Sequence, residues 1–234
     1  MMYIHYVKKK NLAITGSSGL IGKSLVKYFK KDFNVIELDI DLGHDLCDTN
    51  FVKEWFRNNK NLYGIIICHA INPLPLENAE KITPIDYTID EIKEYLDVNL
   101  VSAYDVVRNF IKNNSSGKII NISSLYGSKS PKHFIYNNFT KHIGYSLSKG
   151  GLLMMSKYLA AYYGKNYNIN TVILGGVYEE GLDKKFVANY SQNTPSGRMM
   201  DLEEAISVFE FLLDKKSSYI NGTEITIDGG WNAW

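Results

Sequence analysis

The sequence predicts a doubly wound α/β fold: a parallel sheet with helices on both faces, in a single domain. Three observations carry this reading. Short apolar runs alternate with longer amphipathic segments along the whole chain, the pattern of strands alternating with helices. The apolar runs are continuous rather than alternating, as in Gly64-Ile65-Ile66-Ile67-Cys68, which suits strands covered on both faces. The 234 residues contain no linker and no internal repeat. A chain of this length buries a core that needs no disulfide or metal.

Taken in order, 11–15 is a buried strand that runs into a glycine turn, and 20–30 is the helix after it. Residues 35–38 form a second strand, 50–59 a helix and 64–68 a third strand. A helix is expected over about 89–113, a strand over 118–122, a long helix over about 143–164 and a strand over 169–173. Residues 201–213 are expected as a helix and 223–227 as the last strand.

Composition narrows the function classes. Lys+Arg is 26 and Asp+Glu is 25, a net charge of +1, without the basic excess of a dedicated nucleic-acid binder. Two cysteines, Cys47 and Cys68, form neither a disulfide framework nor a metal knuckle, so no metal is expected and the reading is a reducing, cytoplasmic protein. The first ten residues end in Lys8-Lys9-Lys10 with no apolar signal region, and no run is long enough for a membrane span. Lys outnumbers Arg 23 to 3, which reads as coding bias rather than chemistry.

Thr15-Gly16-Ser17-Ser18-Gly19-Leu20-Ile21-Gly22 lies between the first strand and the first helix. Glycines there permit a tight turn and bring backbone N–H groups close to a pyrophosphate, with the positive end of the helix dipole behind them. A plain strand-to-helix turn explains the glycines equally well in isolation. Their place after the first strand favours a dinucleotide site. Asp39 ends the second strand, 23 residues after Gly16, where an acidic residue accepts hydrogen bonds from an adenosine ribose. A carboxylate repels a 2′-phosphate, so NAD is expected over NADP. Asp45 and Leu46 follow and could flank the adenine.

Tyr145 and Lys149 are four apart on the expected long helix and so share one face. A neighbouring ammonium favours the phenolate and lowers a tyrosine pKa toward working pH, which makes the phenol a usable acid/base. With 17 tyrosines, such a pair also arises by chance, and Tyr6/Lys10 is a second instance; only Tyr145 has the α/β context. Ser123 and Ser124 follow the strand 118–122, at the carboxyl edge that faces the ligand crevice. A serine there can hydrogen-bond a substrate carbonyl or simply cap a turn.

Over about residues 9–232 the chain resembles the compact branch of the short-chain dehydrogenase/reductase family. Five features in order carry the resemblance: the glycine loop 15–22, Asn99 in Val98-Asn99-Leu100, Ile122-Ser123-Ser124, Tyr145-Ser-Leu-Ser-Lys149, and the tail from Ile220 to Trp231 with Asp228-Gly-Gly. The resemblance implies one Rossmann-type domain over 1–234, with a substrate-loop insertion at about 127–144 and a substrate lobe at about 176–200. It implies that Tyr145 exchanges a proton with the substrate oxygen and that Lys149 lowers its pKa and holds the nicotinamide ribose. Ser124 would polarise the carbonyl and Asn99 would anchor a relay water. Gly16, Ser18, Gly19, Leu20, Ile21, Asp39, Ile40, Asp45, Leu46, Ala70 and Val177 would line the cofactor with Tyr145 and Lys149. Some positions depart from the pattern. The second glycine stands one place early, at Gly19, a spacing closer to the nucleotide-sugar-modifying branch. Cys68-His69-Ala70-Ile71 replaces Asn-Asn-Ala-Gly, with His69 read as a structural stand-in for an asparagine. Leu174 replaces a proline, and Glu179 stands where a threonine would hold the carboxamide.

Residues 106–178 contain no Asp or Glu but nine Lys or Arg. The interval from Ser124 to Tyr145 is 21 residues, several longer than the family's usual spacing, and the insertion carries Lys129, Lys132, His133, Lys141 and His142. This predicts a loop that recruits an anionic, sugar-like small-molecule substrate, against the plainer reading of a solvated insertion. The long helix is apolar nearly all round, more than one buried face requires, so a dimer or tetramer is expected, with no nucleic acid or membrane partner. Trp231 and Trp234 would close a second interface or cap the core. The sequence reading is thus an NAD-dependent oxidoreductase acting on a secondary alcohol or ketone. Its alternatives are a nucleotide-sugar epimerase or dehydratase with tightly bound NAD, and a non-catalytic dinucleotide-binding subunit.

Overall fold

The computed structural model describes residues 9–76 and 82–233; Trp234 and Tyr6 lie outside them. Six parallel strands form one sheet in the order β2-β1-β3-β4-β5-β6. They are β1 (Lys10–Thr15), β2 (Phe33–Leu38), β3 (Leu62–Ile67), β4 (Gly117–Ser124), β5 (Tyr167–Leu174) and β6 (Glu224–Ile227). Their central residues, from Leu12 to Ile14, Ile65 to Ile67 and Ile119 to Ile122, are buried, because helices cover both faces.

On one face α2 (Thr49–Asn58), α4 (Ser102–Asn113) and α5 (Ile143–Tyr163) pack Val52, Phe56, Val106, Phe110, Leu152 and Leu159 against the sheet. On the other, α1 (Leu20–Phe29) and α7 (Ile206–Leu213) contribute Leu25, Phe29, Phe209 and Leu212. Those apolar residues recur at helical spacing, one buried stripe per helix. A third cluster sits above the carboxyl ends of the strands, where Ile135 and Tyr136 meet Phe186 and Tyr190 of α6 (Lys184–Gln192) and Trp231. Trp231 is therefore buried in the core, stacked on Tyr190 at 4.2 Å.

The expected helix 89–113 is interrupted. α3 (Ile89–Leu96) starts with a capping box between Thr88 and Glu91, and a π-helical turn over Asp97–Val101 separates it from α4. An inserted residue of this kind re-aims one side chain, and here that side chain is the fully buried Asn99. The expected helix 201–213 is a 3-10 turn, Leu202–Ala205, followed by α7. Among the described residues no helix is long and apolar enough to cross a membrane.

Candidate active site

The strand order reverses around β1, so the crevice lies beyond the carboxyl ends of β1 and β3, where α/β sheets bind ligands. A cleft of about 340 Å³ opens there and continues over β4 and β5. Gly16, Gly19, Leu20, Ile21 and Gly22 form one wall, and Ala70, Ser124, Tyr145, Lys149 and Val177 lie along the rest.

The glycine wall has a steric basis. Gly16 has a φ of 62°, and a Cβ there would lie 2.6 Å from the His69 nitrogen; a Cβ on Gly22 would lie 2.0 Å from the Gly16 carbonyl oxygen. The turn closes this tightly only with hydrogen at both positions. Gly19 is the N-cap of α1 and offers no side-chain cap, which leaves first-turn N–H groups without internal partners. A bare N-terminus lining a cleft fits the phosphates of a dinucleotide.

Asp39, at the end of β2, is buried and accepts hydrogen bonds from the Ser18 N–H at 2.8 Å and the Asp41 N–H at 3.0 Å. The carboxylate is thus pinned to the glycine loop. Ile40 beside it is exposed, and Asp45 turns its carboxylate to the Cys47 N–H. Leu46 is packed in the core with Val52 and Phe56 and does not line the cleft.

β4 and α5 bring the proton-transfer groups together. Ser123 donates to the Lys149 carbonyl at 2.9 Å, and Asn121 donates to Ser156 at 2.8 Å. Gly127 then lies so near α5 that a Cβ would meet the Lys149 carbonyl carbon at 2.7 Å. This close approach sets Ser124 beside Tyr145. Burial pushes the Tyr145 phenol up, and a hydrogen bond with Ser124 opposes it. The Lys149 ammonium donates to the Ile122 carbonyl at 2.9 Å and stands 5.8 Å from the Tyr145 ring centre. Its own pKa is lowered by burial to about 8.

Asn99 contributes by positioning. Its Oδ1 accepts from the Ile71 N–H at 2.7 Å, and its Nδ2 donates to the Ile71 carbonyl and to Ser148, each at 3.1 Å. Both amide protons are spent on protein, and Asn99 does not line the cleft. His69 ties three elements together, with Nδ1 2.7 Å from Thr15 Oγ1 and Nε2 2.8 Å from Ser102 Oγ. Ser102 gives its own proton to the Val98 carbonyl at 2.7 Å, so Nε2 carries the imidazole proton and Nδ1 accepts from Thr15. Burial lowers the His69 pKa to about 3, in keeping with a neutral structural ring.

The insertion 127–144 folds over the substrate side of the cleft, but its basic residues part company. Lys129 and His133 are exposed, and Lys132 lies 4.3 Å over the Trp231 ring. Only Lys141 lines the cleft. His142 caps α5 through the Gly144 N–H and is held between Tyr87 and Tyr95. Glu179, noted in the sequence at the position of a carboxamide-holding threonine, lines the cleft, and so do Tyr126, Tyr136 and Tyr190, which the sequence did not mark as site residues. Aromatic residues of this kind carry no spacing signal, because loops from separate regions bring them together.

Comparison with known proteins agrees with this geometry. A family model described as Enoyl-(Acyl carrier protein) reductase matches residues 14–232. Post-translational flagellin modification protein A of Campylobacter coli is 26% identical over 96% of this chain and 99% of its own length. The uncharacterized oxidoreductase YvrD of Bacillus subtilis is 30% identical over 96% of this chain and 97% of its own. A short chain dehydrogenase from Leptospira borgpetersenii, solved with bound NAD+, superposes with a TM-score of 0.84 at 27% identity, covering 96% of this chain and 93% of that one.

Proposed function

The chain belongs to the short-chain dehydrogenase/reductase family, oxidoreductases acting on CH–OH and carbonyl groups, and from that premise we propose that it is NAD-dependent and interconverts a secondary alcohol and a ketone on a polar, anionic, sugar-like substrate. One observation carries the reading: Ser124, Tyr145 and Lys149 line the same cleft as the uncapped N-terminus of α1. The NAD+ bound in the Leptospira relative supports the choice of cofactor.

A bound nicotinamide ring supplies the hydride chemistry. The protein moves the proton. Tyr145 gives it to, or takes it from, the reacting oxygen, and Ser124 donates a hydrogen bond to that same oxygen. Lys149, anchored by the Ile122 carbonyl, keeps two N–H donors for a ribose and for the phenol. Asn99 fixes the Ile71 backbone against α5. Asp39 faces the adenosine ribose with a charge that disfavours a 2′-phosphate.

The unpaired state of both cysteines supports a reducing, cytoplasmic setting. Self-association rests on the outer face of α5, where Leu147, Met154, Tyr158 and Tyr162 stay exposed. A face this apolar marks an interaction surface, and two-fold pairing is the usual solution.

The deciding experiment is absorbance at 340 nm with NAD and a panel of hydroxy acids and sugar acids. Net NADH production is expected from the wild type. Tyr145→Phe should lose at least about a hundredfold in kcat while still binding NADH by fluorescence. Conversion of a substrate with no net change at 340 nm would instead favour an epimerase, and full activity of Tyr145→Phe would refute the acid/base assignment.

A further inference from the structure

The Lys141 ammonium is buried, lines the cleft, and stands 4.3 Å from the Tyr145 ring centre, nearer than the Lys149 ammonium at 5.8 Å. Its two recorded hydrogen bonds go to the Asn72 Oδ1 at 2.5 Å and the Pro73 carbonyl at 2.8 Å. Both acceptors are neutral, and an ammonium has three donors, so one N–H remains. Among the described residues neither Lys141 nor Lys149 forms an ion pair with a carboxylate. A buried charge without a counter-charge costs several kcal/mol. Burial, and then repulsion from Lys149, lower the Lys141 pKa to about 7. Among the described residues the cleft therefore holds two buried ammonium groups against a single lining carboxylate, Glu179.

Resting on the proposed oxidoreductase reading, we infer that Lys141 binds the acidic group of the substrate, and that the substrate is a short hydroxy acid or the matching oxo acid. Two observations bear on the placement of the acid. The phenolic oxygen of Tyr145 is one bond outside its ring, so an acid on Lys141 lies only a few bonds from the reacting carbon. A hydroxy acid with the acid one or two carbons from the carbinol is the shortest ligand that meets both groups. Lys129 and His133, exposed, and Lys132, over Trp231, do not share this wall, so among the described basic residues of the insertion recognition of the acid falls to Lys141.

The test uses the full-length protein with NAD and four probes: 2-hydroxybutanoate, 3-hydroxybutanoate and their methyl esters. Wild type is expected to prefer one of the acids over its ester at least tenfold in kcat/KM, through KM. In Lys141→Gln that acid-to-ester ratio should fall toward one, while Lys141→Arg retains most of it. The ratio cancels any general loosening of the loops that Lys141 holds. An equal ratio for wild type and Lys141→Gln, or no wild-type preference for an acid, overturns the inference. Should none of the four turn over, thermal unfolding of the NADH-saturated proteins with malonate or dimethyl malonate decides. Stabilisation by malonate alone, lost in Lys141→Gln, supports the assignment, and no effect of malonate refutes it. Absence of NADH binding would overturn the underlying oxidoreductase reading itself, an outcome separate from NADH binding without discrimination between acid and ester.

Discussion

Removing the Lys141 charge should change how stability depends on pH in the ligand-free protein. Burial, then repulsion from Lys149, lowers this lysine from an ordinary 10.5 to about 7. Between those values the unfolded chain holds a proton that the folded chain has released. Stability therefore rises with pH across that window, and the penalty is fully present below pH 7. Each pH unit well inside the window is worth up to about 1.4 kcal/mol per group. From pH 7, where the folded group is half protonated, to pH 8.5, the Lys141 contribution comes to about 1–2 kcal/mol. Lys141→Met removes it. The variant also loses the bonds to Asn72 and Pro73, which shifts its stability at every pH but not the slope. Lys149, lowered to about 8, is present in both proteins and cancels to first order. The assay is urea unfolding of wild type and Lys141→Met at pH 7.0, 7.5, 8.0 and 8.5 in constant salt. The wild type should gain about 1–2 kcal/mol more than the variant over that range. Parallel curves would show that the ammonium is adequately solvated in the fold, and the reasoning from burial would fail.

Three further outcomes follow from the same geometry. Asp39→Ser should narrow the preference for NAD over NADP in kcat/KM by about fivefold or more, since it removes a like charge worth about 1 kcal/mol at 4 Å even in water. Gly127→Ala places a Cβ 2.7 Å from the Lys149 carbonyl carbon, so it should cost about 1–3 kcal/mol in urea unfolding and lower kcat as Ser124 moves. Tyr158→Glu sets a charge in the exposed apolar face of α5 and should shift sedimentation from an assembled species to a monomer; an unchanged profile would exclude this face as the interface.

The architecture was legible because it rests on local chemistry. Continuous apolar runs, such as that around Ile65, Ile66 and Ile67, can only be strands between two helical layers. The sequence did not reveal the π-helical turn at Asp97–Val101, because one inserted residue hardly disturbs a 3.6-residue period. It also passed over α6, which is short and polar on most of its surface. At the site, Tyr145, Lys149 and Ser124 were readable from motif and position. Their electrostatics were not. Whether an ammonium lowers a phenol's pKa depends on where the ammonium is held, and Lys149 is held by a carbonyl of β4, 27 residues away in sequence.

Lys141 shows the limit most clearly. In sequence it is one basic residue among several in an insertion, with the same standing as Lys129 and Lys132. What sets it apart is the pair of acceptors supplied by Asn72 and Pro73, from the segment after β3 nearly 70 residues earlier. Those acceptors are neutral, so they orient the ammonium without cancelling its charge. A carboxylate in their place would have given an ordinary ion pair and a cleft with no electrostatic demand on its ligand. The same contact that hides Lys141 from solvent thus leaves its charge available beside Tyr145, and that combination arises only from the tertiary fold.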